Sequence, residues 1–372
     1  MGGATACHLA RRGRRVLGLE QFAPGHARGS SHGESRIIRE IYFEHPHYVP
    51  LVRRAYELWH ELERDSGERL LTITGGLMIG PEDGRLVNGV LRSAAEHDIP
   101  HEVLSPEQVG ARFPGFELRG GEVAVVDPRA GFLHADACVR VHLEMSARWG
   151  ADLRFDERVV SWKSDGERVF VETTRDRYSA QSLVLSAGPW TTALLADLAL
   201  PLFVERQVLV WLEPSTHVEW YDPARCPIYL WEDAAGHMAY GFPRLAQGVK
   251  AAVFHDGDIV PDADAIPRTV EAREIQRVRV ALSHLLPGVA TGAFRDAKVC
   301  PFTNTPDTHF LIDFHPSFPN VLISSACSGH GFKFASAIGE LQADLVMDGR
   351  SRFDLSLFQL ARFSPVKGSS PA

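Results

Sequence analysis

The chain reads as an α/β protein in which a doubly wound, mostly parallel half is interleaved with a half built on a large mixed or antiparallel sheet. Three observations carry this reading. A helical stretch over 2–12 runs into a short apolar strand, Val16-Leu17-Gly18-Leu19, that ends on Glu20. A second apolar run, Ser182 to Ala187, stops at Gly188-Pro189-Trp190, as a buried parallel strand does before it turns. The segments 204–212 and 227–256 instead alternate apolar and polar side chains, the period of antiparallel strands.

The opening helix carries small residues on its first turn, so it can lie close to a sheet, and Gly13 is placed to cap its C-terminus. Helix, strand and terminal acid form the later half of a dinucleotide-binding βαβ unit, with Gly2 as its third glycine and Glu20 as the ribose acceptor. The opening strand and Gly-x-Gly turn of such a unit do not follow Met1. The expectation is that Met1 is internal to a longer chain and that the first strand lies upstream; the alternative is an unrelated αβ protein that starts at Met1. Residues 24–34 form a Gly/Ser/His loop that leads into Ser35-Arg36-Ile37-Ile38-Arg39. Leu51, Ala55, Leu58 and Leu62 mark an amphipathic helix within 47–66. Residues 70–80 alternate and carry glycines, which reads as the edge of a sheet. Helical patterns return at 85–97 and 106–112, and Gly131-Phe132-Leu133 reads as a strand entering a helix over 134–149. Leu153 to Glu172 suggests a hairpin, 267–286 a helix, and Gly329 opens a long helix through Met347.

At 372 residues the chain suits two domains, each assembled from discontinuous pieces. Net charge is −8, which argues against nucleic acid or an anionic membrane as the main partner, so any positive site is local. No apolar run approaches the roughly 20 residues of a membrane-spanning helix. The five cysteines (Cys7, Cys138, Cys226, Cys300, Cys327) are odd in number, scattered, and lack C-x-x-C spacing. That disfavours a disulfide framework or a zinc site and suits a reducing cytoplasm, the expected location.

Four stretches carry candidate chemistry. Arg36 and Arg39 stand three apart; on a helix they would share a face and make a strong anion site, and the plainer reading is a solvated basic face. Cys300 lies in Cys300-Pro301-Phe302-Thr303, and a lone cysteine is most often a small buried hydrophobe. Gly329 and Gly331 flank His330 just before Lys333, where the glycines allow a flat ligand close to the backbone and a helix N-terminus favours negative charge. Only five of 39 Lys and Arg side chains are lysines (Lys163, Lys250, Lys298, Lys333, Lys367), so each lysine merits attention as a compact, titratable cation.

These stretches resemble the monomeric sarcosine oxidase and N-methyltryptophan oxidase family of flavoenzymes, within the D-amino acid oxidase superfamily. The resemblance runs from Gly2 to Phe363 and covers four motifs in the same order. It implies a Rossmann-like FAD-binding domain over 1–68, 150–200 and 314–372, and a substrate domain over 69–149 and 201–313. Gly2, Glu20, Gly329, His330 and Gly331 would bind the cofactor. Cys300 stands where the family's flavin-tethering cysteine stands. Gly29-Ser30-Ser31-His32-Gly33-Glu34-Ser35-Arg36 resembles the flavin-proximal loop, with His32 and Arg36 beside the flavin and Arg39 gripping the substrate carboxylate together with Lys333. Lys250, in Tyr240-Gly241-Phe242-Pro243 through Lys250, matches the lysine that activates oxygen, and Tyr240 matches an active-site tyrosine. His255 is one residue further from Lys250 than the family's histidine, and Phe302 replaces a tyrosine of sarcosine-type members. The tail 351–363 and Phe334-Ala335-Ser336 look more like the N-methyltryptophan branch.

The expected activity is FAD-dependent oxidation of an N-methyl amino acid to an imine, then amino acid and formaldehyde, with oxygen reduced to hydrogen peroxide. Sarcosine, N-methyl-L-tryptophan and pipecolate are the candidate substrates. A dehydrogenase that passes electrons to another carrier, and a non-catalytic remnant without its cofactor strand, are the alternatives. No nucleophile elbow, Walker loop or HExxH occurs.

Overall fold

The structure is a computed structural model and describes residues 1–363. The described residues divide into two compact units, one of 1–26, 142–204 and 302–363, the other of 27–141 and 205–301. Residues 27–68, expected with the cofactor domain, thus cluster with the second unit. The reason is pairing: the strand Ser35–Ile38 lies antiparallel to Gly131–His134, which also pairs with Leu71–Ile73.

The first unit holds the parallel half. Leu17–Leu19 pairs in parallel with Asp152–Arg154, and Leu183–Leu185 pairs in parallel with Phe318–Ser325. These form separate sheets, the second of which adds Leu311–His315. The helix Gly2–Arg11 packs on the helix Ala335–Asp348, so closely that a Cβ at Gly339 would meet Ala4 at 2.7 Å. Val159–Ser164, Val169–Thr173 and Arg177–Ala180 make a three-stranded antiparallel meander, one strand more than the expected hairpin. The tail returns onto this unit: Asp313 Oδ2 accepts from the Leu360 N–H at 2.8 Å, and Arg362 pairs with Asp307 at 2.8 Å.

The second unit is organised by a nine-stranded mixed sheet. Its spine is Phe203–Glu213, Gly248–Phe254, Met238–Leu245 and Ile228–Glu232, joined antiparallel, and then Gly76–Pro81, joined parallel to Ile228–Glu232. Gly76–Pro81 is interior, not an edge, because Glu122–Asp127 covers its other side. The long strand Ala293–Asn304, which carries Cys300, pairs with Phe203–Glu213. Below the sheet, Leu77, Val210, Leu212, Tyr229, Val249, Leu282 and Leu286 form a buried core. The helix Val49–Ser66 buries Leu51, Ala55, Leu58 and Leu62 as its period requires, and ends on left-handed Gly67. Among the described residues no helix is long and apolar enough to cross a membrane.

Candidate active site

Six of the expected site residues lie in the second unit: His32, Arg36, Arg39, Tyr240, Lys250 and Cys300. The loop before Ser35–Ile38 is turned by Gly33 at φ 92°, a left-handed conformation in which a Cβ would also press on Leu209 at 3.2 Å. Arg36 and Arg39 are not on a helix. Arg36 lies within Ser35–Ile38 and Arg39 follows it, and odd spacing on a strand sends the two side chains to opposite faces. Their surroundings differ accordingly.

Arg36 stays on the loop side. Its Nη1 donates to the Ser35 carbonyl and its Nη2 to the Ser30 carbonyl, each at 2.8 Å, and Nη2 lies 3.5 Å from Cys300 Sγ. Cys300 is 1% exposed, and the same loop is held to its strand by the Ser30 hydroxyl, which donates to the Pro301 carbonyl at 2.6 Å. A fixed guanidinium thus faces a buried sulfur. His32 is also buried, and neither ring nitrogen has a hydrogen-bond partner among the described residues. Burial, with the Arg36 charge added, pushes its pKa down to about 4, so the ring is neutral at pH 7.

Lys250 is 1% exposed. Its ammonium donates to the Gly33 carbonyl at 2.8 Å and to the Ser35 carbonyl, and stands 4.0 Å from the centre of the Phe242 ring. Burial, with Arg36 second, holds its pKa well below the usual lysine value, against the pull of Glu34. Tyr240, on Met238–Leu245, is pushed up by burial and keeps its phenolic proton. Phe254 packs edge-on to it at 5.9 Å, and His255, at φ 54°, gives its Nδ1 to Glu205 Oε2 at 2.8 Å.

Arg39 already holds a carboxylate. Its Nη2 lies 2.8 and 2.6 Å from the two oxygens of Glu44, its Nη1 donates to the Ile41 carbonyl at 2.9 Å, and its guanidinium sits 4.1 Å over the Tyr42 ring. Burial opposes its charge, but Glu44, with Tyr42 and Asp127, outweighs it and leaves its pKa raised. Just behind, Asp127 accepts from the Glu40 and Ile41 N–H groups at 2.7 and 3.1 Å and so fixes the turn that carries Arg39.

The first unit holds Gly2, Glu20, Gly329, His330, Gly331 and Lys333. Gly2 is the first residue of its helix, and Glu20 follows Leu17–Leu19 with its carboxylate accepting from the Phe22 N–H at 3.0 Å. The helix expected from Gly329 begins as a 3₁₀ turn, Phe332–Phe334, and becomes α-helical only at Ala335. Gly331 has no room for a side chain: a Cβ would stand 1.9 Å from the Ala326 carbonyl. His330 stacks on Phe310 at 4.7 Å and shares a 3.0 Å hydrogen bond with the Thr308 carbonyl. Lys333 is 5% exposed and donates to the His330 carbonyl at 2.7 Å.

These residues fit FAD. The first unit offers a small residue at a helix start, an acid at a strand end and a glycine turn pressed against backbone, the elements that receive pyrophosphate, ribose and a flat ring. Buried Thr303 Oγ1 and Ser325 Oγ have no partner among the described residues, as atoms awaiting a polar ligand would. In the second unit the unpartnered His32 ring and the Arg36–Cys300 contact have the same character.

Several residues of the site escaped the sequence reading. Glu44 is visible only as an acid five residues after Arg39, and Trp211, Asp136 and Glu205 sit inside ordinary strand and helix patterns. Glu34 has no such signal either, since a left-handed backbone is uncommon for a residue with a side chain, yet it adopts φ 68°.

Residues 1–345 match the family of FAD dependent oxidoreductases. A monomeric sarcosine oxidase of Streptomyces avermitilis is 43% identical over 98% of this chain and 95% of its own length. An N-methyl-L-tryptophan oxidase of Yersinia pestis is 33% identical over 98% of this chain and 96% of its own length. Among solved structures, NikD, an unusual amino acid oxidase essential for nikkomycin biosynthesis, superposes with a TM-score of 0.83 at 24% identity, covering 96% of this chain and 94% of that one. That last likeness is one of fold.

Proposed function

The chain belongs to the FAD-dependent oxidoreductase family, and on that premise we propose that it oxidises N-methyl amino acids such as sarcosine or N-methyl-L-tryptophan, with oxygen as the electron acceptor. The observation that supports this best is the buried polar group of the second unit: Arg36 against Cys300, an unpartnered neutral His32, and Lys250 Nζ, on one loop and three strands. Bound FAD would supply a two-electron oxidant: the electron pair of an N-methyl C–H bond leaves with one proton, the nitrogen loses another, oxygen takes the two electrons and two protons as peroxide, and water splits the imine to formaldehyde and the amino acid.

The protein's own residues supply position and charge. Arg39 binds the substrate carboxylate when Glu44 yields its place, a like-for-like exchange of one two-oxygen partner for another. Lys333 is assigned the same kind of ligand. Tyr240, kept protonated by burial, can donate a hydrogen bond but does not serve as a base at pH 7. His32, kept neutral, offers one donor and one acceptor nitrogen without adding charge to that of Arg36. Lys250 Nζ stands in a dry site, where a proton on it stabilises negative charge arriving on oxygen far more than in water. Cys300 is the proposed point of covalent attachment of the flavin.

The test is aerobic turnover with product counting. Sarcosine or N-methyl-L-tryptophan should give hydrogen peroxide and formaldehyde in equal amounts, and glycine or tryptophan neither. Peroxide from the primary amino acids alone would overturn the substrate class. Formaldehyde without peroxide, with an added dye reduced instead, would make the protein a dehydrogenase.

A further inference from the structure

Glu34 is restrained through its backbone and its side chain alike. Its backbone is left-handed at φ 68°, a conformation that residues with a side chain rarely adopt. Every polar group it has is bound. Its N–H donates to Asp136 Oδ2 at 3.0 Å, its carbonyl accepts from the Ala135 N–H at 3.0 Å, and its carboxylate accepts from Trp211 Nε1 at 2.9 Å. Asp136 and Ala135 open the helix Ala135–Arg148, and Trp211 is fully buried on Phe203–Glu213. Strain held this firmly is a sign of function.

The consequence appears at the two neighbouring residues. The carbonyls of Gly33 and Ser35, on either side of Glu34, converge on one point, and Lys250 Nζ occupies it. An ammonium has three N–H groups, and two are committed here. Trp211 borders two lysines, with Lys250 Nζ 5.7 Å and Lys298 Nζ 5.2 Å from its ring centre. The same indole that steadies the Glu34 carboxylate therefore borders the lysine.

We propose that Glu34 is the positioning residue of the oxygen-reacting lysine: its left-handed backbone, clamped by Asp136, Ala135 and Trp211, aims the Gly33 and Ser35 carbonyls at Lys250 Nζ. This rests on the reading of Lys250 given above. The charged and titratable groups around Lys250 are Glu34 on the loop, Arg36 on Ser35–Ile38, Asp136 on Ala135–Arg148 and Cys300 on Ala293–Asn304. Of these, Glu34 contributes most in favour of the charge, and Arg36 opposes it. Removing the Glu34 charge thus lowers the pH at which Lys250 deprotonates.

The test uses the FAD-loaded enzyme and three substitutions. Glu34→Gln removes the charge and keeps the shape; Glu34→Gly keeps the backbone conformation and removes both charge and anchor; Lys250→Met is the reference. Two quantities are read: flavin reduction by substrate without oxygen, and reoxidation of the reduced enzyme by oxygen. A third needs no turnover. With only five lysines in the chain, ¹³C-lysine labelling gives five side-chain signals, and the Lys250 signal is identified by its loss in Lys250→Met. The expected result is reoxidation slowed about tenfold or more in both Glu34 variants with reduction changed less than about twofold, and a Lys250 titration midpoint moved to lower pH. Unchanged reoxidation and midpoint in the Glu34 variants, with Lys250→Met slow, would overturn the Glu34 proposal and leave Lys250 standing. Rapid reoxidation in Lys250→Met would overturn the reading of Lys250 and the proposal with it. Should Glu34→Gly not fold, Glu34→Gln decides alone, since it changes one charge and no volume.

Discussion

Arg39 and Glu44 form a buried ion pair in which one guanidinium nitrogen reaches both carboxylate oxygens, at 2.8 and 2.6 Å. Both side chains are under 10% exposed. The residue assigned to the substrate carboxylate is therefore occupied by an internal one. Glu44→Gln is expected to do two opposite things. It leaves a buried guanidinium without its counter-charge, which costs roughly 3–5 kcal/mol of stability. It also removes the competitor, so simple carboxylates such as acetate should bind about tenfold more tightly and restore part of the lost thermal stability. Flavin difference spectra and melting curves with and without acetate measure both. Weaker acetate binding in the variant would show that Arg39 is a structural cation.

Cys300 carries the proposed tether. Protein precipitated in acid and washed should stay yellow, and the same pellet from Cys300→Ser should be white. Arg36→Ala is expected to reduce the yellow fraction, because its guanidinium is a fixed positive charge 3.5 Å from Cys300 Sγ. A white pellet from the unaltered, yellow protein would mean that FAD binds without a bond to Cys300.

His32 makes stability depend on pH. In the folded protein its pKa is pushed down to about 4 from 6.5 by burial and by Arg36. Above pH 6.5 the ring is neutral in both folded and unfolded chains, and its full contribution is present. As pH falls from 6.5 toward 4 the unfolded ring takes up a proton that the folded ring refuses, so stability is lost by an amount on the order of 3 kcal/mol. His8, likewise pushed down to about 4 by burial, adds a loss of the same sign. Urea melts between about pH 7 and pH 4.5 should show a shallower fall in His32→Gln than in the parent. Identical slopes would mean that the ring is solvated.

Gly331→Ala tests the glycine turn of the first unit. A methyl group there would collide with the Ala326 carbonyl at 1.9 Å, so the turn must move. A stability loss of roughly 1–3 kcal/mol is expected, with less FAD retained on gel filtration. Full retention of both would remove this turn from the cofactor site.

The legible parts of the molecule were those in which one local rule sets the outcome. The period of Leu51, Ala55, Leu58 and Leu62 gave a helix, and the apolar run at Leu183–Leu185 gave a parallel strand. The loop 24–34 and the Gly329–Lys333 turn stand out by composition, and Cys300 stands out only through the family resemblance. The misreadings came where tertiary pairing decides. Arg36 and Arg39 have helical spacing, but β-branched Ile37 and Ile38 between them pair with Phe132 and Gly131, and the pairing wins. Gly76–Pro81 looks like an edge because of its glycines, yet Gly76 is there to admit Ala130 and Ile228 on either side of an interior strand. Glu44 and Trp211 could not be found by pattern at all, since their meaning lies in what they touch.

The most direct measurement of the central claim is the visible spectrum of the purified, oxygen-free protein before and after adding sarcosine or N-methyl-L-tryptophan. Bleaching of the oxidised flavin bands by an N-methyl amino acid, and their return on admitting air with one peroxide per flavin, is the expected result. A protein that holds FAD and whose bands are unmoved by every N-methyl amino acid offered would contradict the account.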